Sequence, residues 1–173
     1  MPIISGFAAQ QQSSVVFRLS MVKEALQTDN FRLAHTEILP IRWGDMDAMM
    51  HVNNTVYFRY MEQARISWME KWAGEDGGES DAGGTTVSGS AAEGAVIATA
   101  SCHFKRPLKY PGTVEVKLFA GRVGRSSLPT YYELRRTDDP ETVCATGEAL
   151  FVWISNKTGK PVSFPDALRK RLA

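Results

Sequence analysis

From Ala95 onward the sequence keeps a period of two, and this constrains the fold more than any other feature. Val96, Ala98, Ala100, Cys102 and Phe104 alternate with Ile97, Thr99, Ser101, His103 and Lys105. Pro107 ends that run, and Tyr110-Pro111-Gly112 makes a turn. Val114, Val116, Leu118 and Ala120 mark the next strand, which the pattern carries to Val123. Gly124-Arg125-Ser126-Ser127 leads into a strand over residues 130–136, and Asp138-Asp139-Pro140 turns into the last strand, residues 142–155. On that strand Val143, Ala145, Ala149, Phe151 and Trp153 share a face. Residues 156–160 form a turn and residues 166–172 a short helix. Connections this short join antiparallel neighbours, because a parallel pair needs a crossover of a dozen residues or more.

The chain before these strands supplies one strand and one long helix. Leu39, Ile41 and Trp43 alternate with Ile38, Pro40 and Arg42, giving a strand over residues 36–43 that Pro40 assigns to an edge or a bulge. Tyr57, Tyr60, Met61, Ala64 and Trp68 then recur at helical spacing, and either Asn53 or Asn54 suits the N-cap. From residue 54 to 72 such a helix spans about 28 Å. One helix on one face of an antiparallel sheet is an α+β layer arrangement.

Two carboxylates (Asp45, Asp47), an imidazole (His51) and two amides (Asn53, Asn54) fall within ten residues, at or just before the helix start. The first turn of a helix presents backbone N–H groups without partners and the positive end of the dipole. Such donors can hold a developing oxyanion. A carboxylate opposite them can attack a carbonyl or activate water. Asp47 lies in the turn itself, while Asp45, nearer the strand, orients it. The alternative is plain capping and turn formation, which Asp and Asn also serve. His51 is either a partner or base for Asp47 or a structural residue of the turn. Glu62 is either a helix carboxylate with a role or an exposed pair with Arg59 or Arg65.

Gly44-Asp45-Met46-Asp47, His51-Val52-Asn53-Asn54, Tyr57-Phe58 and Glu62-Gln63-Ala64-Arg65 together resemble the 4-hydroxybenzoyl-CoA thioesterase family of hotdog-fold proteins. The likeness runs from about residue 36 to 172, with a gap at a Gly-rich loop. It implies a sheet curled around one central helix, and hydrolysis of an acyl-CoA thioester to free acid and coenzyme A without a cofactor or metal. It implies Asp47 as catalytic carboxylate, the backbone N–H near Asn54 as oxyanion donor, His51 beside them, and Tyr57 among the substrate-binding residues. Arg125, Ser126 and Ser127 match the family's Gly-Arg-Ser-Ser segment near the nucleotide or pantetheine end of the ligand. Arginine suits those phosphates through bidentate hydrogen bonds, although a solvated turn has the same composition. The resemblance also implies a homodimer or homotetramer with sites at the subunit interface. The chain departs from the pattern at Ala48-Met49-Met50, where relatives carry Pro-Ala-Gly, many of them glycine at position 50. Plant relatives carry Asn at position 49, so an Asn/His mechanism of their type does not carry over. Two rival readings are a non-catalytic acyl-thioester binding module and a hotdog hydratase or dehydratase.

The 173 residues make one domain with a sizeable core, and a net charge of +1 offers nothing to nucleic acid. No apolar run approaches the 18 or so residues a membrane span needs. Cys102 and Cys144 are expected to be reduced core residues, and three scattered histidines have no ligand spacing. Without a basic and apolar leader the chain is expected to be cytoplasmic. Residues 1–34 are expected to be an N-terminal extension, in part disordered, residues 35–173 the domain, and residues 74–94 a flexible Gly-rich loop open to a lid role.

Overall fold

The computed structural model describes residues 31–75, 92–164 and 166–172. In chain order these form β1 (Arg32–Ile41), a single 3₁₀ turn (Trp43–Asp45), α1 (Asn54–Glu75), β2 (Glu93–Phe104), β3 (Gly112–Ala120), β4 (Ser127–Arg136), β5 (Asp139–Ser155) and α2 (Asp166–Leu172). The five strands form one antiparallel sheet in the order β1-β3-β4-β5-β2. The hairpins β3–β4 and β4–β5 are neighbours, as their short connections require. β1 and β2, which flank the helix in sequence, become the two edges. Pro40 sits on an edge strand, where a missing N–H costs no ladder bond.

Helix α1 lies on one face of this sheet. Tyr57, Tyr60, Met61 and Ala64 are buried against Val114, Val116 and Leu118 of β3, Tyr132 and Leu134 of β4, and Ala145 of β5. Tyrosine and tryptophan are indifferent helix formers. Burial of this face, at about 1.5–3 kcal/mol for each fully buried Val, Leu or Met side chain, is what holds the helix. A small residue makes room for a helix side chain: a Cβ on Gly147 of β5 would overlap the Met61 sulfur. A second cluster closes the C-terminal half of α1, with Met69 packed on Leu128, Phe151, Trp153 and Phe164.

The elements agree with the pattern in type and order, and differ at their ends. β1 starts at Arg32, so residues 32–34 belong to the sheet, while residues 1–30 lie outside the described residues. α1 continues past Trp72 to Glu75, and β2 begins at Glu93, so the expected loop loses residues at both ends. A lid role concerns residues 76–91, outside the described ones. β4 starts at Ser127 and β5 at Asp139, so the hairpin turn is tighter than Asp138-Asp139-Pro140 suggested. β3 ends at Ala120 rather than Val123. On β2 a register shift between Ile97 and Thr99 moves the inward set: Ile97 opposes Phe151, and after the bulge Ala100, Cys102 and Phe104 oppose Ala149, Gly147 and Ala145. Unbroken alternation would have put Ile97 on the other face. Both cysteines are free, Cys144 buried and Cys102 half-buried.

Candidate active site

The chain leaves β1 at Ile41, makes the 3₁₀ turn, and folds residues 46–52 into a closed loop. Met46 and Val52 form an isolated bridge at its neck. Inside it the Asp47 amide donates to the His51 carbonyl at 2.8 Å, and the Met50 amide to the Asp47 carbonyl at 3.1 Å. Met50 takes the left-handed conformation, φ 60°. That is the position where the resembled family often carries glycine, and here a methionine bears the strain.

Asp47 is half-buried in this loop. Its Oδ1 accepts the Met49 amide at 2.8 Å and the His51 amide at 3.4 Å. Its Oδ2 meets no donor among the described residues, so one oxygen is fixed and the other is presented. The link between His51 and Asp47 is therefore made by backbone, and the His51 ring makes no hydrogen bond among the described residues. Asp45 does orient the turn: its Oδ2 accepts the Arg42 amide and the Tyr60 hydroxyl, each at 2.8 Å, and its carbonyl accepts the Asn53 amide at 2.8 Å. Burial, then the Asp45 carboxylate, raises the pKa of the Tyr60 hydroxyl, keeping it a donor.

Asn53, not Asn54, is the N-cap. Its Oδ1 accepts the Thr55 amide at 2.9 Å and the Thr55 hydroxyl at 2.8 Å, and its carbonyl accepts the Val56 amide at 2.9 Å. The amides of Val52, Asn53, Thr55 and Val56 are thus all engaged. Among the described residues no acceptor meets the Asn54 N–H, and Asn54 is exposed. One presented carboxylate oxygen and one free helix-start donor, seven residues apart, are the elements of a carbonyl-addition site.

The wall opposite is residues 108–110. The Val52 amide donates to the Leu108 carbonyl at 2.9 Å, and the Leu108 amide to the Tyr57 hydroxyl at 3.0 Å. Tyr57 is only 3% exposed, so the structure puts it beneath the site with its hydroxyl occupied. Arg136 braces the same wall, its guanidinium donating to the Lys109 carbonyl at 2.7 Å and the Pro111 carbonyl at 3.3 Å. Tyr60, Leu108 and Arg136 were not legible as site residues. Tyr60 carries the signature of a core aromatic, and the other two reach the site only through the fold. Met49 and Met50 of the Asp47 loop, Trp43 just before it and Tyr110 of the 108–110 segment are large apolar side chains left exposed.

Arg125, Ser126 and Ser127 are elsewhere. β3 begins at Gly112, paired with Ile41 beside the Asp47 loop, and ends at Ala120. The 121–126 connection therefore lies at the other end of the sheet, about 30 Å away by strand rise. Its backbone is pinned: Trp153 and Phe164 amides donate to the Ser126 and Arg125 carbonyls, each at 2.8 Å. The Arg125 side chain is exposed and makes no ion pair among the described residues. Glu62 is 60% exposed and pairs with Arg65 at 3.4 Å, its expected surface role. A shallow apolar hollow lined by Trp68, Met69, Leu128, Phe151 and Trp153 also sits at that far end. It holds no polar group that could act on a substrate. Among the described residues no cluster of three or more His, Cys, Asp or Glu side chains could hold a metal ion, and no helix is long and apolar enough to cross a membrane.

Comparison with known proteins agrees with the fold. The PA2801 protein of Pseudomonas aeruginosa, a candidate thioesterase, is 37% identical and superposes with a TM-score of 0.70, covering 82% of this chain and all of that one. A thioesterase from Thermus thermophilus, solved with coenzyme A and Zn, is 26% identical over 81% of this chain and 92% of its own, with a TM-score of 0.61. YsmA of Bacillus subtilis strain 168, an uncharacterized protein, is 27% identical over 132 residues, 76% of this chain and 80% of that one. The hotdog architecture is thereby shared with solved thioesterase structures. With residues 41–172 matching its model, from the last residue of β1 through α2, the chain belongs to the thioesterase-like superfamily.

Proposed function

We propose that the protein hydrolyses an acyl-CoA thioester, with Asp47 as nucleophile or general base and the Asn54 N–H as oxyanion donor. The observation that carries this reading is that, among the described residues, one Asp47 oxygen and the first N–H of α1 are both left without partners, on one continuous turn-to-helix segment. The donor polarises the thioester carbonyl and holds its oxygen as charge develops. As a base, Asp47 takes a proton from water while the water oxygen bonds to the carbonyl carbon. As a nucleophile, it bonds to that carbon itself and water later cleaves the anhydride. Either way the C–S bond breaks, the coenzyme leaves as a thiolate that takes up a proton, and the acyl group leaves as a free acid. His51 stands beside the reacting atoms, and its backbone orients Asp47.

The active unit on this reading is a pair of chains, as a homodimer or a tetramer of two such pairs. Arg125, Ser126 and Ser127 bind the phosphates or pantetheine of the substrate, and a loop about 30 Å from its own Asp47 serves the Asp47 of a second copy better. The outer edge of β2 has no strand partner among the described residues, and Phe104, whose ring packs on Tyr57 of α1, is half exposed there, as a residue that a second copy covers would be. Tyr57 contributes by supporting the site floor. A cytoplasmic setting fits two free thiols.

Asn54→Pro tests the donor. Proline is well tolerated at the first helical position, and it removes that N–H together with an exposed side-chain amide, whose own loss Asn54→Ala measures. Thiol release should fall by about 10²–10³ in kcat, the usual cost of one oxyanion donor, with the fold intact by circular dichroism. Unchanged turnover would remove Asn54 from the mechanism. Tight acyl-CoA binding without thiol release by the wild-type protein would make it a binding module.

A further inference from the structure

Among the described residues Asp47 makes no bond to α1. Its carboxylate is tied only to amides of its own loop, whereas the oxyanion donor proposed to act with it belongs to the helix. The spacing of the two therefore depends on what fixes the loop against the helix, and two tyrosines of one helix face do so. Tyr57 and Tyr60 are three residues apart and both buried. At the exit of the loop Tyr57 holds Leu108, which holds Val52. At its entrance the Tyr60 hydroxyl donates to Asp45 Oδ2 at 2.8 Å, and the Asp45 carbonyl receives the Asn53 amide immediately before Asn54. Asp45 thus touches the strand exit (Arg42), the helix body (Tyr60) and the helix cap (Asn53), two residues from Asp47.

We propose that Tyr60 is a positioning residue for thioester hydrolysis, setting through Asp45 the separation of the Asp47 carboxylate from the Asn54 N–H. The inference rests on the reading of the site given above. Tyr60 is the stronger of the two anchors because its acceptor is a carboxylate, and an O–H···O⁻ bond is about twice as strong as a neutral one. At 6% exposure Tyr60 itself touches no substrate. Its loss should act on the geometry of the reacting groups and leave ground-state binding alone.

Tyr60→Phe keeps the ring and its packing and deletes the hydroxyl. The expected result is a fall in kcat of about ten- to hundred-fold, as a displacement near 1 Å would give. KM should stay within about twofold, since remote binding groups are untouched. Asp45→Asn keeps an acceptor oxygen without the charge and should fall between wild type and Tyr60→Phe. The double variant should be no slower than Tyr60→Phe alone, since the two groups act as one unit. A folded Tyr60→Phe protein with wild-type kcat, a loss expressed only in KM, or single losses that multiply in the double variant would each overturn the proposal. Should Tyr60→Phe not fold, Asp45→Asn decides: a lowered kcat at unchanged KM supports the role and a wild-type kcat removes it. Asp47→Asn in the same assay separates the two layers. If it is fully active, the reading of the site fails whatever Tyr60 does. If it is inactive while Tyr60→Phe is fully active, only the positioning role fails.

Discussion

At the scale of single residues, the Asp47 loop shows a cost accepted for a shape. Met50 holds φ 60° with a side chain 69% exposed, so little packing offsets a left-handed backbone. An L-residue there costs roughly 1–2 kcal/mol, part of which glycine returns as unfolded-state entropy. Met50→Gly should therefore stabilise the protein by about 1 kcal/mol, raising Tm by about 2–4 °C for a domain of this size. A lower Tm would show that the methionine side chain is covered in the assembled protein. The aspartate, histidine and asparagines of this loop were legible because their types cluster. How they divide the work was not. Sequence left the cap between Asn53 and Asn54, and only the backbone geometry gives the cap to Asn53 and frees the neighbouring N–H. Sequence left His51 between a partner of Asp47 and a structural residue of the turn, and the contact it makes is through its amide, since a loop this tight brings main chain to the carboxylate first.

Between elements, one close contact is that of the Met61 side chain of α1 with Gly147 of β5. Met61 lies directly over Gly147, and a Cβ there would overlap its sulfur and come within 3.3 Å of the Ser101 carbonyl. Gly147→Ala should destabilise by about 1–3 kcal/mol, as overpacking usually does. Met61→Ala in the same chain should recover part of that loss, which a double-mutant cycle of denaturation midpoints would measure. Additive losses would mean that Met61 and Gly147 do not touch. Period and turn residues made the strands and the helix legible, because burial on one face imposes both. The bulge near Ala98 was not legible: nothing in Val96-Ile97-Ala98-Thr99 marks where the ladder slips, and that slip decides that Ile97 and Cys102 both face the helix. Strand ends moved for a similar reason, since Arg32, Ser127 and Asp139 join the sheet through partners that only the fold supplies.

At the scale of the whole molecule, the separation of Asp47 from Arg125 is the feature that the sequence could not display. Both segments match the resembled pattern, yet they close opposite ends of one sheet. If each site joins two chains, mixing two defective variants should repair one. Arg125→Ala should raise KM, and Asp47→Asn should be inactive. In their mixed dimer the Asp47 of one chain meets the Arg125 of the other, so at low substrate the mixture should exceed the sum of its parts. No gain on mixing, with subunit exchange verified, would place the whole site in one chain.

The most direct test of the central claim is thiol release from a panel of short, long, branched and aromatic acyl-CoAs by the wild-type protein and by Asp47→Asn. Burial pushes the Cys102 thiol up to about 11, so the protein's own half-buried thiol should react slowly with the dye at neutral pH and leave the released coenzyme as the signal. The account predicts turnover of at least one substrate class by the wild type and its loss in the mutant, whose amide keeps the shape and lacks the charge. Turnover that survives in Asp47→Asn would contradict it.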